Sequence, residues 1–296
     1  MNNLSLKEIL LKSADFLERK WCSQAPLEPP LREEKSKARY EAELIISHFL
    51  NTPRMNIYLE FERVITKEIA DKIRNAVVER GKRKPLQYII GEVEFLDCLI
   101  EVNEDVLIPR PETEFMIDFI RQQESSVRGQ MSILDMCTGS GAIAVALKKK
   151  FKDSTVYASD ICEKALKVAQ RNANRNECEI DFIKSDLFEG FKGKALMFDL
   201  IVCNPPYVSE EEYASLEPEI YFEPKIALVA ENNGLYFYER VIRDAREFLN
   251  DNGTLYLEIG SEQADDVIKM ATENKYAEYT VHKDLCDRNR IVRIKK

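Results

Sequence analysis

The segment Phe198-Asp199-Leu200-Ile201-Val202-Cys203 is an apolar run of strand length that leads directly into Asn204-Pro205-Pro206-Tyr207. Two successive prolines fix the backbone and remove two N–H donors, so this strand end offers acceptors. The carboxamide oxygen of Asn204 and the main-chain carbonyl of Pro205 can each take one hydrogen of a planar NH2 group. Holding both hydrogens orients the nitrogen and raises electron density on it as it attacks. Tyr207 adds a flat apolar face on which a planar group can stack. Orientation of this kind can supply several of the roughly 7–11 kcal/mol available from positioning. The alternative is a Pro-Pro turn that merely ends a strand. The expected catalytic set is Asn204, Pro205, Pro206 and Tyr207.

Upstream, Asp135-Met136-Cys137-Thr138-Gly139-Ser140-Gly141-Ala142 closes a second apolar run and opens a helix at Ile143 to Leu147. Glycines at a strand-to-helix turn let backbone approach a ligand closely. Ligands bind at the carboxyl ends of such strands. Asp160 closes the next apolar run, where its carboxylate can accept hydrogen bonds from two ribose hydroxyls. Asp186 follows a third, placed to meet an adenine amine, with Leu187 against the ring; alone, Asp186 would more often be a helix cap. Gly139 to Ala144 also fits the dinucleotide fingerprint, so the turn by itself leaves a nicotinamide enzyme open. Asn204 to Tyr207 decides between them. A nicotinamide enzyme has no use for paired acceptors, whereas a sulfonium methyl donor needs a nitrogen held for in-line attack.

The elements that must position these residues alternate. Ser132–Met136, Val156–Ser159, Ile180–Ile183, Leu200–Cys203 and Leu255–Ile259 read as strands, with amphipathic helical stretches between them. That alternation predicts a doubly wound, mostly parallel α/β sheet. Residues 1 to 84 read instead as helices. Leu6, Ile9, Leu10 and Ser13 to Phe16 recur at helical spacing, as do Ala42, Ile45, Ile46 and Phe49. Thr66 is an N-cap candidate for a third helix carrying Ile69 and Ile73, with Gly81 as its stop. Pro26, Pro29 and Pro30 separate the first two helices. Between the helical part and the sheet, Tyr88–Ile90, Val93–Leu96 and Leu99–Val102 predict short strands around Gly91 and a β-hairpin linker over 85–108.

The 296 residues carry a net charge of −9. An acidic balance argues against a grip on long nucleic acid, which needs a basic surplus. One basic cluster, Arg80, Lys82, Arg83 and Lys84, is read as a solvated inter-domain loop in preference to a contact patch. Seven cysteines without a C-x-x-C pair indicate reduced, mostly buried thiols in a cytosolic protein. His48 and His282 lie too far apart in sequence for a local zinc motif, and no metal site is expected. Neither a signal-peptide pattern nor a membrane-length apolar run is found, so a cytoplasmic location is expected.

Pro85-Leu86-Gln87-Tyr88-Ile89-Ile90-Gly91 and Ile108-Pro109-Arg110-Pro111-Glu112-Thr113-Glu114 resemble the PrmC/HemK family of release factor glutamine methyltransferases. So do the segments Asp135 to Ala144, Asp186-Leu187-Phe188, Glu223-Pro224, Asn233-Gly234-Leu235, Glu258-Ile259-Gly260 with Gln263, and Arg290-Ile291-Val292. Ala38 to Leu44 resembles the family's N-terminal helical domain, so the likeness covers nearly the whole chain. It implies a helical substrate-recognition domain over 1–84, a hairpin linker over 85–108, and a seven-stranded Rossmann-like methyltransferase domain over 109–296. It implies S-adenosyl-L-methionine as donor and, as acceptor, the glutamine of the Gly-Gly-Gln motif in class 1 release factors, with neither stable nucleic-acid binding nor a membrane. Cys137, Thr138, Gly139, Ser140, Gly141, Asp160, Asp186, Leu187 and Asn204 would line the cofactor, and Arg110, Thr113 and Glu114 would join them in binding it, from a segment closing over the cleft. The alternative acceptor is an exocyclic amine of adenine or guanine in nucleic acid. Cys137 stands where many members carry glycine, and Ala230 to Asn233 replaces a more glycine- and aspartate-rich turn.

Overall fold

Every residue from Ile133 to Met136 and from Leu200 to Cys203 is buried, the pattern of strands covered on both faces. In the computed structural model, which describes residues 4–22, 32–124 and 130–296, they are central strands of one sheet. The chain divides into two compact units, Met1–Gly91 with Pro218–Phe222, and Glu92–Glu217 with Glu223–Lys296.

The first unit is built on α1 (Leu6–Cys22), α2 (Arg32–Leu50) and α3 (Lys67–Gly81). Leu6, Leu10, Leu17, Ile45, Ile46, Ile73 and Val77 form its core. Thr66 caps α3 by accepting the Ile69 N–H, and Gly81 is its last residue, as the spacing predicts. Pro26, Pro29 and Pro30 lie outside the described residues. Lys82 of the basic cluster is exposed as a solvated loop would be, but Arg80 and Arg83 are not. Arg80 is buried on α3, donating to Glu41 and, at 3.0 Å, to Glu219, while Arg83 donates to the other oxygen of Glu219. Both guanidiniums lie over the Trp21 ring. Their charge is spent on the buried Glu41 and the half-buried Glu219, partners distant in sequence that local composition does not reveal.

Tyr88 to Ile90 departs from expectation. Leu86–Ile90 forms a short helix, α4, and not a strand. Pro85 enters it and Gly91, at φ +87°, ends it in the left-handed conformation, so the apolar triplet makes one helical turn. The hairpin is confined to β1 (Glu92–Phe95) and β2 (Cys98–Glu101).

The second unit continues with α5 (Pro111–Gln123), β3 (Ser132–Met136), α6 (Ala142–Lys150), β4 (Thr155–Asp160), α7 (Glu163–Arg175), β5 (Asp181–Lys184) and β6 (Phe198–Cys203). After the short α8 (Glu210–Tyr213) come α9 (Tyr236–Phe248), β7 (Leu249–Glu258), α10 (Ala264–Glu273), β8 (Glu278–Lys283) and β9 (Asn289–Lys295). The seven-stranded sheet has the order β5-β4-β3-β6-β7-β9-β8, with β9 antiparallel to both neighbours and the other pairings parallel. β7 begins six residues before its expected start, and β8 escapes a reading from apolar content, since none of its residues is fully buried and half face solvent. α7 packs through Ala165, Leu166, Val168, Ala169, Asn172 and Ala173, one helical face. Asn172 on that face is fully buried. It donates to the carbonyls of Glu101 and Ser140 and accepts the Glu101 N–H, tying β2 to the glycine turn. Among the described residues no helix is long and apolar enough to cross a membrane.

Candidate active site

The sheet order reverses at β3, which has β4 on one side and β6 on the other. Crevices form at such switch points, outside the carboxyl ends of the strands. Met136 pairs with Cys203 in the β3–β6 register, so the next residue on each strand, Cys137 and Asn204, emerge side by side. The glycine turn and the Asn-Pro-Pro-Tyr segment, 63 residues apart from Gly141 to Asn204 in the chain, therefore share one crevice.

A largely apolar cavity occupies it. Cys137, Gly139, Asp160, Asp186, Leu187, Asn204 and Pro206 contribute to its wall, joined by Ser159, Cys162, Phe237 and the loop Asp105–Leu107. Asp160 is mostly buried at the end of β4. Its carboxylate accepts the Gly139 N–H at 2.9 Å and the Cys162 N–H at 2.8 Å, one on each oxygen. Burial pushes this carboxyl above its ordinary range against those hydrogen bonds. Asp186 ion-pairs with Arg240 of α9 at 3.0 Å, so it reaches the cavity already partnered. The Ser159 hydroxyl, buried in the same wall, has no hydrogen-bond partner among the described residues. An apolar slot with two carboxylates on its rim and an unsatisfied hydroxyl in its wall suits a nucleoside-bearing ligand.

Behind the glycine turn, Asp135 is fully buried on β3. One of its oxygens accepts from the Thr138 hydroxyl at 2.5 Å and the Ala144 N–H at 3.0 Å, and the other has no partner among the described residues. Burial pushes this carboxyl up to about 7. Asp135 thus grips the turn at both ends. Cys137 holds φ +61°, a left-handed conformation that glycine adopts with less strain. Asn232 and Asn233, in the turn that departs from the family pattern, are also left-handed, which asparagine tolerates best among residues with a Cβ.

At the other end of the crevice, the Asn204 amide donates to Thr113 Oγ1 at 3.3 Å. Thr113, on the first turn of α5, donates to Glu258 at 2.7 Å. Glu258 closes β7 and is fully buried, and its second oxygen accepts from the Tyr207 hydroxyl at 3.4 Å. Burial pushes the Glu258 carboxyl up to about 7, against Thr113, Arg290 and Tyr207, which lower it. The Tyr207 carbonyl accepts from Gln263 Nε2 at 3.0 Å. Arg110 pairs with the buried Glu223 at 2.5 Å, and Glu223 also accepts the Ile108 N–H, pinning the proline–arginine segment.

Of the residues singled out in the sequence, Arg110, Thr113, Thr138 and Ser140 line a smaller recess that shares Cys137, Gly139 and Asn204 with the main cavity. Pro205 is buried directly between Asn204 and Pro206. Gly141 and Glu114 face elsewhere. The Gly141 backbone lies against Ala169 of α7, where an added Cβ would fall 2.9 Å from the alanine Cβ, and Glu114 accepts a hydrogen bond from the Leu96 backbone in the hairpin turn. Sequence reasoning assigned no role to Asp135, Ser159, Glu223, Phe237 or Glu258. A carboxylate closing an apolar strand was the available signal for Glu258, as it was for Asp160.

Residues 112–221 match the model of the methyltransferase small domain, and residues 31–91 match that of the PrmC N-terminal domain. A release factor glutamine methyltransferase of Leptospira interrogans is 35% identical over 292 residues, 97% of each chain. Another, from Fusobacterium nucleatum, is 41% identical over 259 residues, 86% of this chain and 73% of that one. The crystal structure of a methyltransferase from Pyrococcus furiosus superposes with a TM-score of 0.51 at 20% identity, covering 68% of this chain and 90% of that one. That likeness is one of fold. The two curated relatives, together with the crevice at the β3–β6 switch point, show that this chain belongs to the release factor glutamine methyltransferase family.

Proposed function

We infer that the protein transfers a methyl group from S-adenosyl-L-methionine to the side-chain amide nitrogen of the glutamine in the Gly-Gly-Gln motif of class 1 release factors. The observation that carries this reading is the β3–β6 register, which opens the glycine turn and Asn204 into one cavity. When bound, the donor supplies an electrophilic methyl group on a sulfonium. Asp160, Asp186 and Leu187 line the part of the cavity suited to its nucleoside, and the Ser159 hydroxyl offers a further polar contact. Asn204 Oδ1 and the Pro205 carbonyl accept the two amide hydrogens of the substrate glutamine, and the Tyr207 ring packs against its plane. These acceptors raise electron density on nitrogen and leave it one direction of attack. No strong base is needed, because the product nitrogen sheds its proton after transfer. The apolar wall, with Leu187, Pro206 and Phe237, excludes water from the reacting atoms.

A nucleic-acid amine as acceptor has less support. Arg80 and Arg83, half of the basic cluster that would favour it, are engaged by Glu41 and Glu219. Release factors act in the cytoplasm, and we place the protein there, with the helical unit as the part that recognises the substrate.

The test is incubation of the full chain with labelled donor and a purified release factor. One methyl group on the Gly-Gly-Gln glutamine, absent when that glutamine is alanine, is the expected result. Asn204→Ala should lower kcat by about 100-fold or more, the scale of losing a preorganised polar contact. Label appearing in RNA or DNA and not in the release factor would refute the assignment.

A further inference from the structure

The reading above requires the Asn204 amide to present its oxygen, and not its NH2, to the substrate. An asparagine amide can be turned either way, so something must decide. We propose that Thr113 and Glu258 are positioning residues that set this orientation, with the ionised Glu258 carboxylate dictating the direction of every hydrogen bond between it and Asn204. The inference rests on the proposed methyl transfer for its consequence, but its geometry is independent of it.

The chain of donors leaves one solution. An ionised carboxylate only accepts. Thr113 has one hydroxyl hydrogen and gives it to Glu258 at 2.7 Å. Its oxygen can then only accept from Asn204, so the amide must point Nδ2 at Thr113, as it does at 3.3 Å. Asn204 Oδ1 is thereby left for the substrate. A proton on Glu258 reverses the logic. The carboxylic acid can donate to Thr113, and the threonine hydrogen can turn toward Asn204, where it is satisfied only by the amide oxygen. The amide rotated by half a turn would meet the substrate NH2 with its own NH2, donor against donor.

The surroundings keep Glu258 responsive. It lies within the protein, with Thr113 and Glu112 of α5 on one side. Tyr207 reaches it from the loop after β6, Arg290 from β9 and Tyr238 from α9, whose hydroxyl donates to the Glu258 carbonyl. Arg290 favours the charged form but is itself held by Asp284 and by the Ile259 carbonyl, and Glu112 opposes it. Burial outweighs these and brings the carboxyl into the range where its charge changes near neutrality.

The experiment follows two signals in the full chain. The first is the side-chain NH2 resonance pair of Asn204, identified by its loss in Asn204→Ala. It should shift with pH through about 7 in the wild type and stay flat in Glu258→Gln, which cannot ionise. The second is methyl transfer to a release factor at saturating donor. Wild-type kcat should fall about tenfold per pH unit below that midpoint, as expected when only the ionised form works. Glu258→Gln should lose this limb and be slower at pH 8. Thr113→Val should lower kcat by about 10-fold to 100-fold, a larger loss than any change in S-adenosylhomocysteine affinity. Thr113→Ser, which keeps the hydroxyl, should restore the rate. An Asn204 resonance that does not titrate in the wild type, or titrates equally in Glu258→Gln, overturns the inference. So does Thr113→Val with wild-type kcat. If Asn204 titrates as described but no release factor is labelled, the positioning chain stands and the proposed substrate is wrong.

Discussion

Gly234 tests whether the catalytic loop is held by packing from behind. It adopts φ +83°, and a Cβ built on it would fall 2.1 Å from the Tyr207 carbonyl oxygen, 2.8 Å from its carbon and 2.6 Å from Gln263 Nε2. Two of these atoms are backbone of the Asn-Pro-Pro-Tyr segment, and the third donates the hydrogen bond that holds its carbonyl. Gly234→Ala therefore has two costs. The left-handed conformation costs a residue with a Cβ roughly 1–2 kcal/mol, and overpacking a filled site costs about 1–3 kcal/mol. The sum is about 2–5 kcal/mol, or a fall in melting temperature of about 5–15 °C for a unit of this size. The clash should also push Tyr207, and Asn204 with it, out of register with the acceptor. A displacement near 1 Å can cost about 100-fold in rate. Gly139→Ala is the control. That glycine is also left-handed, at φ +53°, and lines the cavity, but no atom of the described residues beyond its chain neighbours lies within 4 Å of the added Cβ. It should lose only the conformational roughly 1–2 kcal/mol and weaken S-adenosylhomocysteine binding instead. Thermal melting and single-turnover methyl transfer on both variants separate the two. If Gly234→Ala melts within a degree of wild type and turns over normally, the reasoning about this contact is wrong.

Three further outcomes follow. Arg80→Met removes the cation that serves Glu41 and Glu219 in the helical unit. Glu219 keeps Arg83, but the buried Glu41 is left unpaired, which costs about 3–5 kcal/mol, and Arg80→Met/Glu41→Leu should recover part of it in a denaturant titration. Asp135 has its carboxyl raised by burial from 3.8 to about 7. A raised carboxyl pKa means the fold prefers the protonated form, so its contribution is full below the unfolded value and is lost as pH rises through about 7. At pH 8 the charge should cost on the order of 4 kcal/mol. Stability measured from pH 5 to pH 8 should therefore decline more steeply in wild type than in Asp135→Asn, and parallel curves would contradict this. Asn172→Ala removes three hydrogen bonds joining β2 and the glycine turn. It should cost about 2–4 kcal/mol and speed amide hydrogen exchange in the hairpin; unchanged exchange there would count against the tie.

What the sequence by itself determined is local. An apolar run ending in Asn204-Pro205-Pro206-Tyr207 and a glycine turn opening the Ala142 helix declare their chemistry through neighbours a few residues away, since two prolines fix a backbone wherever they occur. The same locality explains the Thr66 cap. It also explains the failure at Tyr88 to Ile90, where three apolar residues have no period of their own and the flanking Pro85 and Gly91 turned them into helix. The tertiary structure decided everything that depends on which distant residue arrives next. The β3–β6 register set Cys137 beside Asn204. Folding around Arg80 drew it and Arg83 out of a basic cluster into a knot of ion pairs. Among the 52 Asp and Glu of the sequence, Glu258 stands out only by closing an apolar strand, which marks its place but not its titration. Only burial, with Thr113 brought to it from 145 positions away, gives it a carboxyl that titrates near neutrality, because desolvation acts through three-dimensional surroundings that no window of sequence contains.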